Sequence, residues 1–292
     1  MKPDWLKAHK GGNRFSLNDS AHAEPGLGIP ENNAHNLTAW ERTYLMEKEK
    51  FKIFVAIPCY DKKVFVPCVQ GLMKAMKVLI ENNISSDVCF EVGLPYVTMA
   101  RNNLIRKFME SDATEIIFID ADIGFQPDDF KMLIGANEEV IAGIYPKKQA
   151  EDVFPVMLKT DVQGHVINEN GVLLASGLPT GFMKIKRSAI EKLTSANPDL
   201  AYTDALSGKV TYNLFGTYVE DGRWFGDDYG FCKLWEKAGG KCYAMPNITF
   251  IHCGQRNFEG NFYEYLKSGK NQRSRLETPY SHAYPERDGV KP

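Results

Sequence analysis

The segment Glu115-Ile116-Ile117-Phe118-Ile119-Asp120-Ala121-Asp122 is the most informative stretch of the sequence. Its first five residues are nearly all apolar, as expected of a short strand in the middle of a parallel sheet. The two aspartates that follow stand at positions i and i+2, so in a strand they point the same way. They also lie at the carboxyl end of the strand, where open α/β sheets bind ligands. The segment therefore predicts a buried strand that leads into a functional site.

The aspartate pair also predicts a metal. Two close carboxylates repel each other unless a cation joins them, so Asp120 and Asp122 favour a hard divalent cation, Mg²⁺ or Mn²⁺. Alternatively, one aspartate caps the next helix and the other lies in solvent. A phosphatase of the haloacid dehalogenase type also has two aspartates after a strand, but it needs Thr or Val where this chain has Gly124.

Strands and helices alternate on both sides of this segment. Apolar spacing predicts strands at 51–57, ending at Pro58, at 88–92 and at 140–145, with helices after Pro67, over 98–109 and from Pro127. Such alternation predicts a mostly parallel sheet of the nucleotide-binding type. No phosphate-binding P-loop and no G-x-G-x-x-G segment after the first strand is present, which disfavours a P-loop or dinucleotide-binding enzyme.

The second half is less regular. It predicts several short strands between 154 and 185, a helix over 188–193, a loop-like stretch over 196–222 and a helix over 227–238. Residues 242–244 and 249–252 are interpreted as a pair of strands. The predicted organisation is an N-terminal arm over 1–50 containing a short helix at 37–50, one catalytic domain over 51–257 and a C-terminal tail over 258–292.

Composition narrows the possible partners and the compartment. The net charge of −2 gives no attraction of the whole chain to nucleic acid or to anionic membrane. No apolar run approaches the roughly 20 residues of a membrane-spanning helix, and the polar N-terminus lacks a secretion signal, so we expect a cytoplasmic protein. The six cysteines form no C-x-x-C pair and are expected to be reduced.

Six segments, taken in order, resemble the GT-A glycosyltransferases, especially the compact family-2-like kind found in phages, large viruses and bacteria. They also echo the fungal mannan polymerase subunits. The segments are Ile57-Pro58-Cys59-Tyr60-Asp61, Ala100-Arg101-Asn102, Asp120-Ala121-Asp122, Pro179-Thr180-Gly181-Phe182-Met183, Gly226-Asp227-Asp228-Tyr229 and His252-Cys253-Gly254. The family has Glu where this chain has Asp227.

The resemblance implies a GT-A-type fold and a metal-dependent glycosyltransferase that uses a nucleotide-diphosphate sugar, such as a UDP- or GDP-sugar. It implies Mn²⁺ or Mg²⁺ at Asp120, Asp122 and His252. It assigns the donor to Pro58, Tyr60, Asp61, Arg101 and Asp120, and the acceptor to Thr180 and Gly181. It makes Asp228, with Asp227, the catalytic acid pair. Asp228 would take the proton of the acceptor hydroxyl in inverting members, and Arg101 would either contact phosphate or fix the aspartates.

Several of these residues also have a purely structural interpretation. Arg101 could be a surface arginine, Tyr60 a half-buried residue at a strand end, and His252 a structural histidine. Asp227 and Asp228 could simply cap a helix and pair with its dipole. The C-terminal tail contains four basic residues, Lys267, Lys270, Arg273 and Arg275. They could close over the diphosphate or meet an acidic acceptor, or they could simply be solvated.

Two other functions and several acceptors stay open. A nucleotidyltransferase of the same fold usually carries a Gly-rich basic segment after the first strand, which the segment from Pro58 to Asp61 lacks. A catalytically silent sugar- or nucleotide-binding protein would not need the set Asp120, Asp122, Asp228 and His252. The acceptor could be a glycan, a protein or a modified DNA base.

Overall fold

The strand predicted at 115–119 is present as β3 (Glu115–Ile119), and all of its residues are buried. The structure is a computed structural model, and it describes residues 51–149 and 153–268 of the 292-residue chain. The arm predicted for residues 1–50, the helix within it and the tail residues Lys270, Arg273 and Arg275 lie outside these ranges.

β3 belongs to a nine-stranded central sheet. Its neighbours follow the order β2 (Ser85–Val92), β1 (Lys52–Cys59), β3, β9 (Phe182–Lys186), β5 (Val140–Gly143), β14 (Cys242–Met245), β8 (Val172–Gly177) and β6 (Met157–Leu158), and β7 (Asn168–Glu169) also pairs with β8. β1 is parallel to β2 and β3, and β14 is parallel to β5, whereas β9 and β8 run against their neighbours. The predicted mostly parallel sheet is confirmed.

Helices cover both faces of this sheet. They are α1 (Val66–Glu81), α2 (Val97–Glu110), α3 (Pro127–Gly135), α4 (Arg187–Ala196), α5 (Asp227–Lys237) and α6 (Phe262–Lys267). One core contains Leu72 of α1 and Phe130 of α3, and the other contains Phe108 of α2 and Trp235 of α5. None of the helices in the described ranges is long and apolar enough to cross a membrane.

The two cores follow from the alternation of side chains along each strand. In β1, Ile53, Val55 and Ile57 enter one core, while Phe54 and Ala56 enter the other. All six cysteines are free thiols, in agreement with the prediction, and Cys89 is the one that is not fully buried. The expected α/β class, with helices flanking a large sheet, is therefore observed.

The first strand does not end at Pro58, as the sequence predicted. β1 continues to Cys59 and pairs with β2 along its whole length, but its pairing with β3 ends at Ala56. Beyond Ala56 the strand has a paired neighbour on one side only, so a residue without an N–H is tolerated there. The longer strand carries Pro58 to the carboxyl edge of the sheet.

The predicted pairing of 242–244 with 249–252 is wrong. β14 lies inside the central sheet, whereas β15 (Thr249–Cys253) pairs with β4 (Ile123–Gly124) and β16 (Asn257–Asn261) in a small separate sheet. Pro246 follows β14 directly and cannot donate to a strand ladder, so the chain leaves the central sheet there. As a result, β15 lies beside the segment that follows the aspartate pair.

The folded domain extends beyond residue 257, where the sequence predicted that a tail begins. β16 pairs with β15 over its full length, and α6 follows it directly. Phe262 of α6 is 2% exposed, and its ring lies 5.2 Å from the ring of Phe154. Because these contacts bury apolar surface against the core, the domain includes residues up to at least Lys267.

The stretch 196–222, predicted to be loop-like, contains regular structure. β10 (Ala201–Thr203) pairs with β11 (Val210–Tyr212), and β12 (Tyr218–Glu220) pairs with β13 (Arg223–Phe225). Asp221 and Gly222 join the second pair with φ angles of 52° and 71°. Asp-Gly with two positive φ angles is typical of a two-residue hairpin turn, so the sequence does contain the signal for this hairpin.

Candidate active site

Arg101 of α2 lies at the centre of a charged site at the carboxyl edge of β3. Its side chain is 7% exposed, with Nη2 3.3 Å from Asp120 Oδ1 and Nη1 2.6 Å from Asp227 Oδ2. The interpretation of Arg101 as a surface arginine is therefore wrong. Of its two predicted roles, fixing the aspartates is the one that these contacts display. Arg101 joins the end of β3 to the start of α5.

The charges in this cluster are mutually dependent. Burial raises the pKa of Asp120 above its ordinary value, while Arg101 opposes that shift. Burial acts to lower the pKa of Arg101, but the charges of Asp120 and Asp227 outweigh it and raise that pKa. A buried guanidinium that serves two carboxylates leaves both of them dependent on it, because an unpaired buried charge is strongly unfavourable.

The two acids at the start of α5 have different environments. Asp227 binds Arg101, so it is more than a helix cap, and the N-cap position is occupied by Gly226. Asp228 is half-buried, and its Oδ1 accepts a hydrogen bond of 2.9 Å from the backbone N–H of Tyr229. Burial raises the pKa of Asp228 to about 6, although Arg101 opposes the shift. A carboxylate with this pKa is suited to accept a proton near neutral pH.

Asp122 lies between two nitrogen groups. Its Oδ2 accepts a hydrogen bond from Lys148 Nζ, and its Oδ1 is 3.7 Å from His252 Nε2. Burial acts to raise the pKa of Asp122, but His252 and Lys148 together lower it below its ordinary value. His252 lies on β15, which the backbone N–H of Cys253 ties to the carbonyl of Asp122 at 2.8 Å. Asp122 is thus the carboxylate that stays ionised.

The orientation of His252 suits metal binding. Its Nδ1 is 2.7 Å from the carbonyl oxygen of Pro146, an acceptor that requires the proton on Nδ1. With one proton fixed on Nδ1, Nε2 is the atom that faces Asp122, and loss of the Nε2 proton would free a lone pair for a metal, the arrangement typical of metal-binding histidines. A carboxylate and an imidazole that face each other are ligands that Mn²⁺ accepts.

The third predicted metal ligand is turned elsewhere. Asp120 binds Arg101, and no group of three or more His, Cys, Asp or Glu side chains is arranged to hold a metal within residues 51–149 and 153–268. Two protein ligands fit an ion whose remaining positions are filled by water and by the phosphate oxygens of a substrate. The metal at Asp122 and His252 therefore stays a prediction, with Asp120 outside the pair.

Gly181 lies where the site has no space for a side chain. A Cβ atom placed there would be 2.6 Å from Asp120 Oδ2 and 2.7 Å from the hydroxyl of Tyr145. The backbone N–H of Gly181 donates to that hydroxyl at 3.2 Å, and its carbonyl accepts from the N–H of Asp120 at 3.0 Å. Thr180 is fully buried, and its hydroxyl has no hydrogen-bond partner in the described part of the chain. Their acceptor-binding role stays a prediction.

Replacing Gly181 by alanine is expected to displace the Asp120 carboxylate and to lower stability by about 1–3 kcal/mol, the usual cost of overpacking. The matched control is Gly143→Ala, whose Cβ would lie 2.5 Å from the ring of Phe250 but would meet no charged group. Thermal unfolding should show a loss in both variants. Binding of UDP or GDP, measured by calorimetry, should weaken in Gly181→Ala alone; equal binding in the two variants would show that Gly181 has no role beyond packing.

The loop after β1 lies beside the aspartate segment. The N–H of Phe65 donates to the carbonyl of Ala121 at 2.9 Å, and Asp61 Oδ1 accepts from the N–H of Lys63 at 3.3 Å. Tyr60 is 67% exposed, which rules out the interpretation of it as a half-buried residue. A wide exposed ring at this edge is free to stack on a base. The donor roles of Pro58, Tyr60 and Asp61 stay predictions.

Three residues of this edge were not predicted from the sequence. Lys148 binds Asp122, and Tyr145 packs edge-on against His252 with the ring centroids 5.0 Å apart. Tyr96, at the start of α2, is 66% exposed. Tyr96 and Lys148 follow β2 and β5 shortly after these strands end, and the rule that parallel strands present ligands at their carboxyl ends would have indicated both.

No protein-family model matches this sequence, and no curated protein matches it. Among solved structures, the chain is similar to the crystal structure of a glycosyltransferase involved in the glycosylation of the major capsid of PBCV-1. The two chains are 10% identical, and the match covers 50% of this chain and 66% of the other, just under two thirds of its length, with a TM-score of 0.29. A similarity of this size supports no inference about activity, which must come from the site itself.

Proposed function

We propose that the protein is a glycosyltransferase that moves a sugar from a nucleoside diphosphate to a hydroxyl group of an acceptor. The observation that carries the proposal is the convergence of acids from separate segments on one edge of a mostly parallel sheet. Asp120 and Asp122 follow β3, Asp227 and Asp228 begin α5, and Arg101 holds the first and third of these acids together. The carboxyl edge of such a sheet is where nucleotides bind.

The pKa values of two carboxyl groups in this cluster shift in opposite directions. Nearby nitrogen groups keep Asp122 ionised, whereas burial raises the pKa of Asp228 to about 6. Pairs of acids whose environments separate their pKa values commonly divide catalytic roles between them. Asp122 is therefore suited to lie near the charged leaving group, and Asp228 is suited to accept a proton.

The proposed reaction forms one carbon–oxygen bond, breaks another and transfers one proton. The acceptor oxygen attacks the anomeric carbon, its proton passes to Asp228, and the bond from that carbon to the diphosphate oxygen breaks. The nucleoside diphosphate leaves with the bonding electron pair. Arg101 keeps Asp120 and Asp227 in place while the charge moves, which lowers the cost of reorganisation during the reaction.

The leaving diphosphate gains negative charge, so the site needs positive charge beside it. Asp122 and His252 would hold Mn²⁺ or Mg²⁺, which when bound supplies Lewis-acid stabilisation of the leaving phosphate. Lys148 adds a second positive charge beside the same carboxylate. Exposed Tyr60 and Tyr96 are the candidates for stacking on the base, and UDP- and GDP-sugars are the donors to test first.

A direct test separates the proposal from its two rivals. Purified full-length protein is incubated with UDP- and GDP-sugars and Mn²⁺, with glycan, protein and hydroxymethylated DNA acceptors, and the products are identified by mass spectrometry. Release of nucleoside diphosphate with a sugar on an acceptor or on water supports the proposal. Formation of a nucleotide sugar from a sugar phosphate and a nucleoside triphosphate would identify a nucleotidyltransferase, and binding without turnover would identify a silent binding protein.

Removal of divalent ions is expected to slow donor turnover by about tenfold or more, because a metal typically supplies several kcal/mol of charge stabilisation. Some turnover should persist, since the ammonium of Lys148 still supplies positive charge at this part of the site. The measurement is donor hydrolysis in EDTA, followed by back-titration with Mn²⁺ and Mg²⁺. Asp122→Asn should show the low rate with or without the ion. Turnover that is the same with and without EDTA would contradict the predicted metal.

A further inference from the structure

The loop after β5 contacts both Asp122 and His252. The carbonyl of Pro146 accepts from His252 Nδ1 at 2.7 Å, and two residues later Lys148 Nζ binds Asp122 Oδ2. One short segment therefore both orients the imidazole and covers the carboxylate that faces it. A change in this loop would reach both members of the predicted metal pair.

Lys148 is placed by its surroundings and still has access to solvent. The backbone N–H of Lys147 donates to the carbonyl of Val153 at 2.8 Å, and that of Gln149 donates to the carbonyl of Lys147 at 2.9 Å, so the backbone on both sides of Lys148 is hydrogen-bonded. The stem of Lys148 passes over Gly254, where a Cβ atom would lie 3.2 Å from Lys148 Cδ. The side chain is 36% exposed, so its ammonium can leave Asp122 for another anion at the mouth of the site.

In this position the ammonium of Lys148 would repel a divalent ion bound at Asp122. An ion held by Asp122 and His252 would share one carboxylate with Lys148, and like charges at such short range weaken each other's binding. A diphosphate has the opposite effect, because its oxygens carry negative charge that an ammonium binds well. Lys148 should therefore weaken the binding of the metal ion alone and strengthen the binding of a diphosphate.

We infer that Lys148 is a diphosphate-binding residue of the donor site, which rests on Asp122 in the free protein and competes there with the metal. The inference rests on the proposed function, because it needs a ligand with a diphosphate. It assigns Lys148 a role in selecting the metal together with the nucleotide: the ion binds well once diphosphate has drawn the ammonium away.

Calorimetry on the full-length protein tests this inference with two probes, Mn²⁺ alone and then UDP or GDP in saturating Mn²⁺. Lys148→Met is expected to bind Mn²⁺ about 3–10-fold more tightly, since one repelling charge is gone. The same variant should bind the preferred nucleoside diphosphate about tenfold more weakly. Lys148→Arg should keep diphosphate binding within about threefold of the parent, because its charge is retained.

Lys147→Met is the matched control, since it removes the same charge one residue away and should leave both affinities within about twofold. Lys148→Gln repeats the measurement if the methionine variant unfolds. Diphosphate affinity that is unchanged in both Lys148 variants, or weaker binding of both probes, would overturn the inference. If the parent turns over nucleotide sugars in that case, the proposed function stands alone; if the parent binds neither UDP nor GDP, both are wrong.

Discussion

Replacing Asp228 by asparagine is expected to slow sugar transfer by about 10²–10⁴-fold, the usual contribution of a general base. Asparagine has nearly the same shape and can still accept the hydrogen bond that Tyr229 N–H gives to Asp228 Oδ1 at 2.9 Å. The variant should therefore fold and should bind UDP or GDP as the parent does. Transfer rate and nucleotide affinity, measured side by side, separate loss of the base from loss of the site.

The pH profile supplies an independent measurement. Because Asp228 must be ionised to take a proton and its pKa is raised to about 6, transfer by the parent should rise with pH through this value. The inflection should be absent from the residual activity of Asp228→Asn. A carboxyl group whose pKa is raised by folding makes the free energy of unfolding fall as the pH rises through the folded-state pKa. The asparagine variant should therefore be the more stable protein above about pH 7.

Asp128→Asn is the matched control, since Asp128 is also an acid in the first turn of a helix but is 83% exposed and pairs with Lys131 of its own helix. It should lose at most about 0.3–1 kcal/mol of helix-dipole stabilisation and no activity. Transfer by Asp228→Asn at close to the parent rate would show that Asp228 is structural. The base would then have to be sought around Thr180 and the two hairpins of 201–225.

Arg101→Met should have the largest effect on stability. It leaves the half-buried Asp120 and Asp227 without their shared cation, and breaking a buried ion pair by removing one partner typically costs about 3–5 kcal/mol. For a domain of this size, each kcal/mol lowers the melting temperature by about 2–4 °C, so a loss of about 10 °C is expected. The measurements are thermal and urea unfolding of the parent and the variant.

The loss should depend on pH in a defined direction. Without Arg101, the pKa of Asp120 in the folded state lies further above its unfolded value, so stability is retained at low pH and lost as the pH rises. The deficit of Arg101→Met should thus be smaller near pH 5 than near pH 8. Arg106→Met, on the same helix, is the control, because its partner Glu110 is 46% exposed and such pairs contribute about 0–1 kcal/mol. A deficit that is equal in the two variants would contradict the central role of Arg101.

Local patterns in the sequence were sufficient to predict the central elements of the fold. The apolar run before Asp120 predicted β3, Pro127 predicted the start of α3, and apolar spacing predicted α5. These features depend on neighbouring residues, whose periodicity and capping are visible in the chain itself. The predicted end of the first strand at Pro58 was wrong, because a strand tolerates proline where its neighbour on one side has already ended.

The contacts of the site were harder to predict, because they join residues far apart in sequence. Arg101 and Asp227 are 126 residues apart, and no local pattern indicates that they bind each other. Lys148 lies in a loop without a periodic pattern, so nothing in the sequence placed its ammonium on Asp122. The hairpin at Asp221-Gly222 is a different case, since its turn signal was present and was outweighed by the irregular composition around it.

The position of β9 makes the two halves of the chain inseparable. β9 comes from the second half, yet it lies between β3 and β5 of the first half and pairs with both. A fragment that ended before β9 would leave β3 and β5 as unpaired edges, which are prone to aggregate. The charged site after β3 can therefore assemble only once nearly the whole domain has been synthesised.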